Sequence, residues 1–172
     1  MTRHPAPLPG DTLDERIDDL FRRRYLAMVR VAHLLVGNLA GAEDIVQEAF
    51  ARIYPRLPGL GPGDQADAYL TTVVINLARR TLRRAAMARA YGRLVGPGGE
   101  AGEDPVDRQA VLGALRQLSP RQRSCVVLRY FLAYTEAEIA SELKISAGSV
   151  KTHTARGLAA LAKLLGDEGD EP

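Results

Sequence analysis

The chain has 172 residues, 46% of them hydrophobic, and 23 Lys and Arg against 21 Asp and Glu give a formal net charge of +2. That length fits one domain or two small ones, either with a workable core. A single cysteine excludes a disulfide framework, and no apolar run approaches the roughly 20 residues needed to cross a bilayer.

Residues 1–11 hold three Pro and a Gly, read as a tail, and lack the apolar core of a signal peptide, so a cytoplasmic setting is expected. Thr12 with Glu15 forms a capping box, and Leu20, Tyr25, Met28, Val29, Ala32, Leu35 and Val36 recur at helical spacing until Gly37-Asn38 stops the helix. Asn38 caps the next helix, which places Glu43 and Asp44 in its first turn, where negative charge suits the dipole. Ile45, Val46, Ala49, Phe50 and Ile53 form its core side; Asp44, Gln47, Glu48 and Arg52 face outward, and Pro55 and Pro58 end it. The Gly/Pro-rich residues 57–66 read as a loop, bordered by Tyr54 and Tyr69.

A long helix then runs through AYLTTVVINLARRTLRRAAMARAYGRL, packed by Tyr69, Leu70, Val73, Val74, Leu77 and Leu82. Its later turns carry Arg79, Arg80, Arg83, Arg84, Arg89 and Arg93 with no acid among them, the most basic stretch of the chain. Residues 95–105, rich in Gly and acids, read as a flexible linker between two domains.

Beyond it, residues 106–118 form a helix, and Ser119-Pro120 with Gln122 starts another, PRQRSCVVLRYFL, in which Cys125 reads as a small buried hydrophobe. Thr135 with Glu138 caps a short helix whose buried side is Ala137, Ile139, Ala140 and Leu143. The chain turns at Lys144 and Ile145, and Ser146 caps the last helix, with Val150, Thr154, Gly157, Leu158, Leu161 and Leu165 on one side. Gly148, Ser149, Thr152, Ala155 and Arg156 lie opposite, flanked by Lys151 and His153. Two helices with so tight a turn make a helix-turn-helix, and an outer face of small, hydrogen-bonding and basic residues suits a DNA major groove better than an ordinary solvated bundle. The acidic residues 167–172 form a tail.

The order of AEDIVQEAF, a Gly/Pro loop, YLTTVVINLARRTLRR, a linker, LSPRQRSCVVLRY and YTEAEIASELKISAGSVKTHTARGL resembles the sigma-70 family, in particular its extracytoplasmic-function (ECF) group and the actinobacterial members of it. The resemblance implies an all-α protein of two helical domains, sigma region 2 at 12–94 and sigma region 4 at 106–166, that directs core RNA polymerase to promoters and has no enzymatic activity of its own. Implied partners are the polymerase clamp and flap, promoter DNA and, in many members, an anti-sigma factor. By the same resemblance Asp44, Gln47 and Glu48 bind the clamp, and Asp64 and Gln65 belong to a base-capture loop at 57–66, which on its own residues reads equally as a plain connector. Asn76, Arg79, Arg80, Arg83 and Arg84 then meet the −10 element, and Ser149, Lys151, Thr152, His153 and Arg156 meet the −35 element.

Three positions depart from the family pattern. Tyr69 stands where many relatives have Trp, Arg80 where they have Asp, and Lys144 where they have Gly. No cofactor or metal is expected, since His4, His33 and His153 are scattered and no phosphate loop or nucleophile–base pair occurs. The alternative reading is a stand-alone helix-turn-helix regulator, and the free protein is free to pack its domains together and hide the recognition helix.

Overall fold

The computed structural model describes residues 12–61, 63–90 and 106–166. The two expected tails, the linker at 95–105 and Arg93 lie outside the described residues. Everything described is helix or the turns between helices: α1 (Leu13–Val36), α2 (Leu39–Ile53), a 3-10 helix (Tyr54–Gly59), α3 (Asp64–Ala90), α4 (Val106–Gln117), α5 (Pro120–Tyr130), α6 (Glu136–Leu143) and α7 (Ala147–Gly166). The fold is all-α, as the sequence leads one to expect.

Local chemistry sets the boundaries. Thr12 N–H donates to Glu15 Oε2 at 2.7 Å and Glu15 N–H to Thr12 Oγ1 at 3.2 Å, the reciprocal box that opens α1. Gly37 closes it in the left-handed region at φ 84°, which favours glycine, and a Cβ there would also press on the Arg116 side chain at 3.0 Å. Asn38 Oδ1 accepts from Gly41 N–H at 2.7 Å and caps α2.

Two expectations are corrected here. Because α2 begins at Leu39, its first turn holds no acid, and Glu43 and Asp44 fall one turn later than expected. Pro55 and Pro58 end α2 but not helicity, for the chain continues as a 3-10 helix with Leu57 buried, and α3 starts at Asp64. Asp64 and Gln65 therefore occupy the first turn of a helix rather than a loop.

Helices α1, α2 and α3 bury Leu20, Met28, Leu35, Val46, Ile53, Leu57, Leu70 and Val74 between them, each contributing about 1.5–3 kcal/mol relative to exposure. The core does not stop at that unit. Leu115, Leu118, Val126 and Val127 from α4 to α5 join the same buried cluster, while Ile75 of α3 packs in the opposite direction, among Cys125, Leu128, Ile139, Leu143 and Val150. Arg123, 7% exposed, is held at this seam by donating to the carbonyls of Leu35 at 2.8 Å and Arg116 at 2.7 Å. Acceptors on both sides compensate the burial of that charge and tie α5 to the end of α1.

Candidate nucleic-acid interface

The helix-turn-helix is built as its sequence spacing directs. Thr135 N–H donates to Glu138 Oε2 at 2.7 Å and Glu138 N–H to Thr135 Oγ1 at 3.2 Å. The bonds from the Thr135 backbone and side chain hold the Glu138 carboxyl below the usual range. Helix α6 ends on Lys144 in the left-handed conformation, φ 53° and ψ 52°, with its N–H directed at the carbonyls of Ala140 and Ser141. A lysine there costs about 1–2 kcal/mol relative to a relaxed backbone, which a glycine avoids. Ser146 Oγ accepts from Ser149 N–H at 3.1 Å and starts α7.

Helix α7 lies against α5 through Val150 and Gly157, both buried. A Cβ at Gly157 would come within 2.8 Å of Val126 Cγ2, so the missing side chain is what lets the two helices approach. On the far face Lys151, Thr152, Ala155 and Arg156 are exposed, with His153 half-buried beside them. Thr152 Oγ1 donates back to the Gly148 carbonyl at 2.9 Å. Ser149 is half-buried and bonded to Ser146 Oγ at 2.9 Å, so it serves the cap as much as any outside partner. Ala137, expected on the buried side of α6, is exposed, and Leu158, expected to pack, stays 38% exposed. The buried side of α6 is set by Ile139 and Leu143, which leaves Ala137 off it, and the close α5–α7 contact centres on Gly157 rather than on its neighbour.

The second set of candidates lies on α3. Asn76, Arg80, Arg83 and Arg84 are exposed, and Arg79 is half-buried. Arg79 crosses the seam, its two terminal nitrogens donating to the carbonyls of Glu142 and Leu143 at 3.0 Å each. Those are orphan carbonyls at the C-terminus of α6, where a cation is favoured by the helix dipole. The Glu142 carboxylate in turn accepts from Thr72 Oγ1 at 3.1 Å and from Asn76 Nδ2 at 3.4 Å. Burial raises the Glu142 carboxyl's pKa, opposed by the Thr72 hydrogen bond and by the charges of Arg79 and Lys144. The domains therefore pack together, and the covered side chains belong to α3. The outer face of α7, which the interdomain packing was expected to be able to hide, stays exposed.

At the start of α3, Asp64 and Gln65 are exposed, but Gln65 Oε1 accepts from Gly61 N–H at 2.7 Å and folds back over the turn. Tyr54 donates its hydroxyl to Asp14 at 2.8 Å, and Tyr69 lies under the Arg56 guanidinium, 5.9 Å from its ring centre. On α2, Asp44, Gln47 and Glu48 share one exposed face, with Glu48 ion-paired to Arg52 one turn on. Thus the α2 acids, the α3 basic face and the α7 face are three separate surfaces. Glu142, Thr72, Ile75 and Arg123 went unmarked by the sequence. The run Val73-Val74-Ile75 is apolar on adjacent sides of α3, the signal that this helix is covered on two faces.

Two family models match the chain: Sigma-70 region 2 over residues 20–87 and Sigma-70, region 4 over residues 108–161. The chain is 34% identical to the RNA polymerase sigma-E factor of Streptomyces coelicolor, over 91% of its own length and 88% of that protein's. It is 29% identical to the ECF RNA polymerase sigma factor SigL of Mycobacterium tuberculosis, over 87% and 89%. Its fold is similar to that of the sigma factor RpoE from Bartonella quintana, solved in complex with the anti-sigma factor NepR, with a TM-score of 0.67 at 21% identity over 86% of this chain and 97% of that one.

Proposed function

The chain belongs to the sigma-70 family of RNA polymerase sigma factors, in its extracytoplasmic-function group, and from that premise we propose how its three surfaces divide the work. It binds core RNA polymerase and directs promoter recognition and initiation. The observation that carries this is the presence of both regions, at 20–87 and 108–161, in one chain. A stand-alone regulator would leave the first of them without a task.

The domain division follows as 12–94 for region 2, 95–105 for the linker and 106–166 for region 4. Asp44, Gln47 and Glu48 present two carboxylates and an amide from one face of α2 to a basic element of the polymerase clamp. The flap is the counterpart of region 4. On α7, Arg156 offers a planar fork that matches a guanine edge or a phosphate, and Lys151 and His153 neutralise phosphates beside it. Thr152 and Ser149 are short enough to let the helix enter the groove.

On α3, Asn76, Arg79, Arg80, Arg83 and Arg84 hold the −10 element. Asp64 and Gln65 on its first turn, with Tyr54 and Tyr69 nearby, form the pocket for an unstacked base, where stacking and edge hydrogen bonds offset a flipping cost of a few kcal/mol. Release of Arg79 and Asn76 from α6 precedes their contact with DNA, so the closed seam is the resting arrangement. An anti-sigma factor is a partner of this chain in the same way that NepR is of the Bartonella protein. The protein performs no bond chemistry itself, since the active site belongs to the polymerase, and it works where the polymerase works, in the cytoplasm. Among the described residues no helix is long and apolar enough to cross a membrane.

Mixing the full chain with core polymerase on a sizing column tests the premise. One-to-one co-elution is expected, weakened by charge reversal at Asp44 and Glu48; a chain that elutes alone contradicts it.

A further inference from the structure

Between α3, the start of α5 and the α6–α7 turn lies an open cavity of about 180 Å³. Its charged lining is Arg79, Arg83 and Arg121, its apolar lining includes Leu82, Leu143 and Ile145, and no carboxylate lines it. Among the described residues, none of the three arginines forms an ion pair with a carboxylate. Arg79 is anchored by backbone carbonyls instead, which fixes its guanidinium without neutralising it. Burial depresses its proton affinity, and the charges of Arg83 and Arg121 depress it further, against the opposing pull of Glu142. The first residues of α5, Pro120 and Arg121, line the cavity, which places a helix N-terminus at its wall. A concave site lined by three arginines and by apolar side chains suits an anion that carries an apolar body.

We propose that this cavity binds a small organic phosphate, its phosphoryl group held by Arg83 and Arg121 against Arg79 and its body resting on Leu82, Leu143 and Ile145. Arg79 and Arg83 come from the first helical unit, Arg121 and the apolar floor of the turn from the second, so the ligand bridges the seam and holds the chain closed. It also occupies two arginines assigned above to promoter DNA. That competition rests on the assignment, whereas binding itself does not.

Phenyl phosphate is the probe, titrated calorimetrically into the full chain without polymerase or DNA. One equivalent should bind about tenfold or more tighter than inorganic phosphate, because the ring adds buried apolar area, and phenol alone should not bind. Arg121→Ala alters an exposed side chain outside the proposed DNA set, should melt like the wild type without ligand, and should lose about tenfold or more in phenyl phosphate affinity. Arg83→Ala should show the same loss. Equal affinity for phenyl phosphate and inorganic phosphate, or unchanged binding in both variants, would overturn the site. Either result leaves polymerase-dependent initiation standing, since neither polymerase nor promoter enters the titration.

Discussion

Arg79 of α3 donates to the carbonyl of Leu143, the last residue of α6, over 3.0 Å. One side chain thereby caps the first helix of the helix-turn-helix from a helix that precedes it by more than sixty positions. Under the proposed assignment of Arg79 to promoter DNA, the seam and the DNA would compete for the same guanidinium.

Ile75 is the apolar counterpart of that contact. Fully buried on α3 yet packed with Cys125, Leu128, Ile139, Leu143 and Val150, it should cost about 2–5 kcal/mol when cut to alanine. The loss falls on the seam rather than on either unit, so Ile75→Ala should split thermal unfolding into two transitions. Cys125 reports the same event. Its thiol is buried and pushed up to about 11, so alkylation by iodoacetamide at pH 8 should be slow in the wild type and about tenfold or more faster in Ile75→Ala. A single unfolding transition and an unreactive Cys125 in the variant would contradict the shared core.

At Gly157 two effects oppose each other. Alanine improves helix propensity by about 1 kcal/mol, while the added methyl would stand 2.8 Å from Val126 Cγ2 in a buried contact with α5, an overpacking that costs about 1–3 kcal/mol. The balance is a net destabilisation of about 1 kcal/mol, read from a lower denaturant midpoint at unchanged slope. The same substitution at Gly113, where nothing lies within 4 Å, should stabilise instead.

Two carboxylates on α6 give opposite pH dependences. Glu142 is raised by burial, so its contribution is greatest at low pH and is lost as pH rises through its elevated pKa, above the ordinary value of 4.5. Glu138 is lowered by the hydrogen bonds from Thr135, so its contribution is present at neutral pH and lost as pH falls below the ordinary carboxylate range. Stability measured from pH 3 to 7 should therefore show Glu142→Gln gaining on the wild type as pH rises, and Glu138→Gln losing ground over the same span. Parallel curves would show that neither carboxyl is coupled to folding.

Arg156→Ala should weaken −35-dependent initiation by roughly 5- to 150-fold, the range of about 1–3 kcal/mol for a bidentate base contact, and relax preference at one base position. Lys151→Ala should weaken binding evenly across sequences and lower the salt slope by about one. Run-off yields and salt titrations on a mapped promoter separate the two. If Lys151 rather than Arg156 alters base preference, the register of α7 in the groove differs from the one assigned.

Much of the architecture was legible because its signals are local. Capping boxes at Thr12, Ser119 and Thr135 reach only three residues, and Gly37-Asn38 marks both the end of one helix and the start of the next. The α2 and α7 faces were legible for the same reason, since helical spacing alone separates exposed Glu48 from buried Ala49, and Arg156 from Gly157. What composition hid was the 3-10 helix through Pro55 and Pro58, where prolines that end an α-helix still permit a tighter one. The seam was hidden for another reason. The apolar run at Ile75 says only that α3 is covered on a second face, the basic run at Arg79 points to an outside anion, and Glu142 is unexceptional on α6; what joins them is partners some sixty positions away.

The most direct measurement is run-off transcription from genomic fragments with core RNA polymerase, with and without the chain, beside gel shifts of the chain alone. Discrete transcripts should appear only when both proteins are present, their start sites preceded by shared −10 and −35 elements, while the chain alone shifts the same fragments weakly. Tight sequence-specific binding without polymerase and no new transcript would contradict the account.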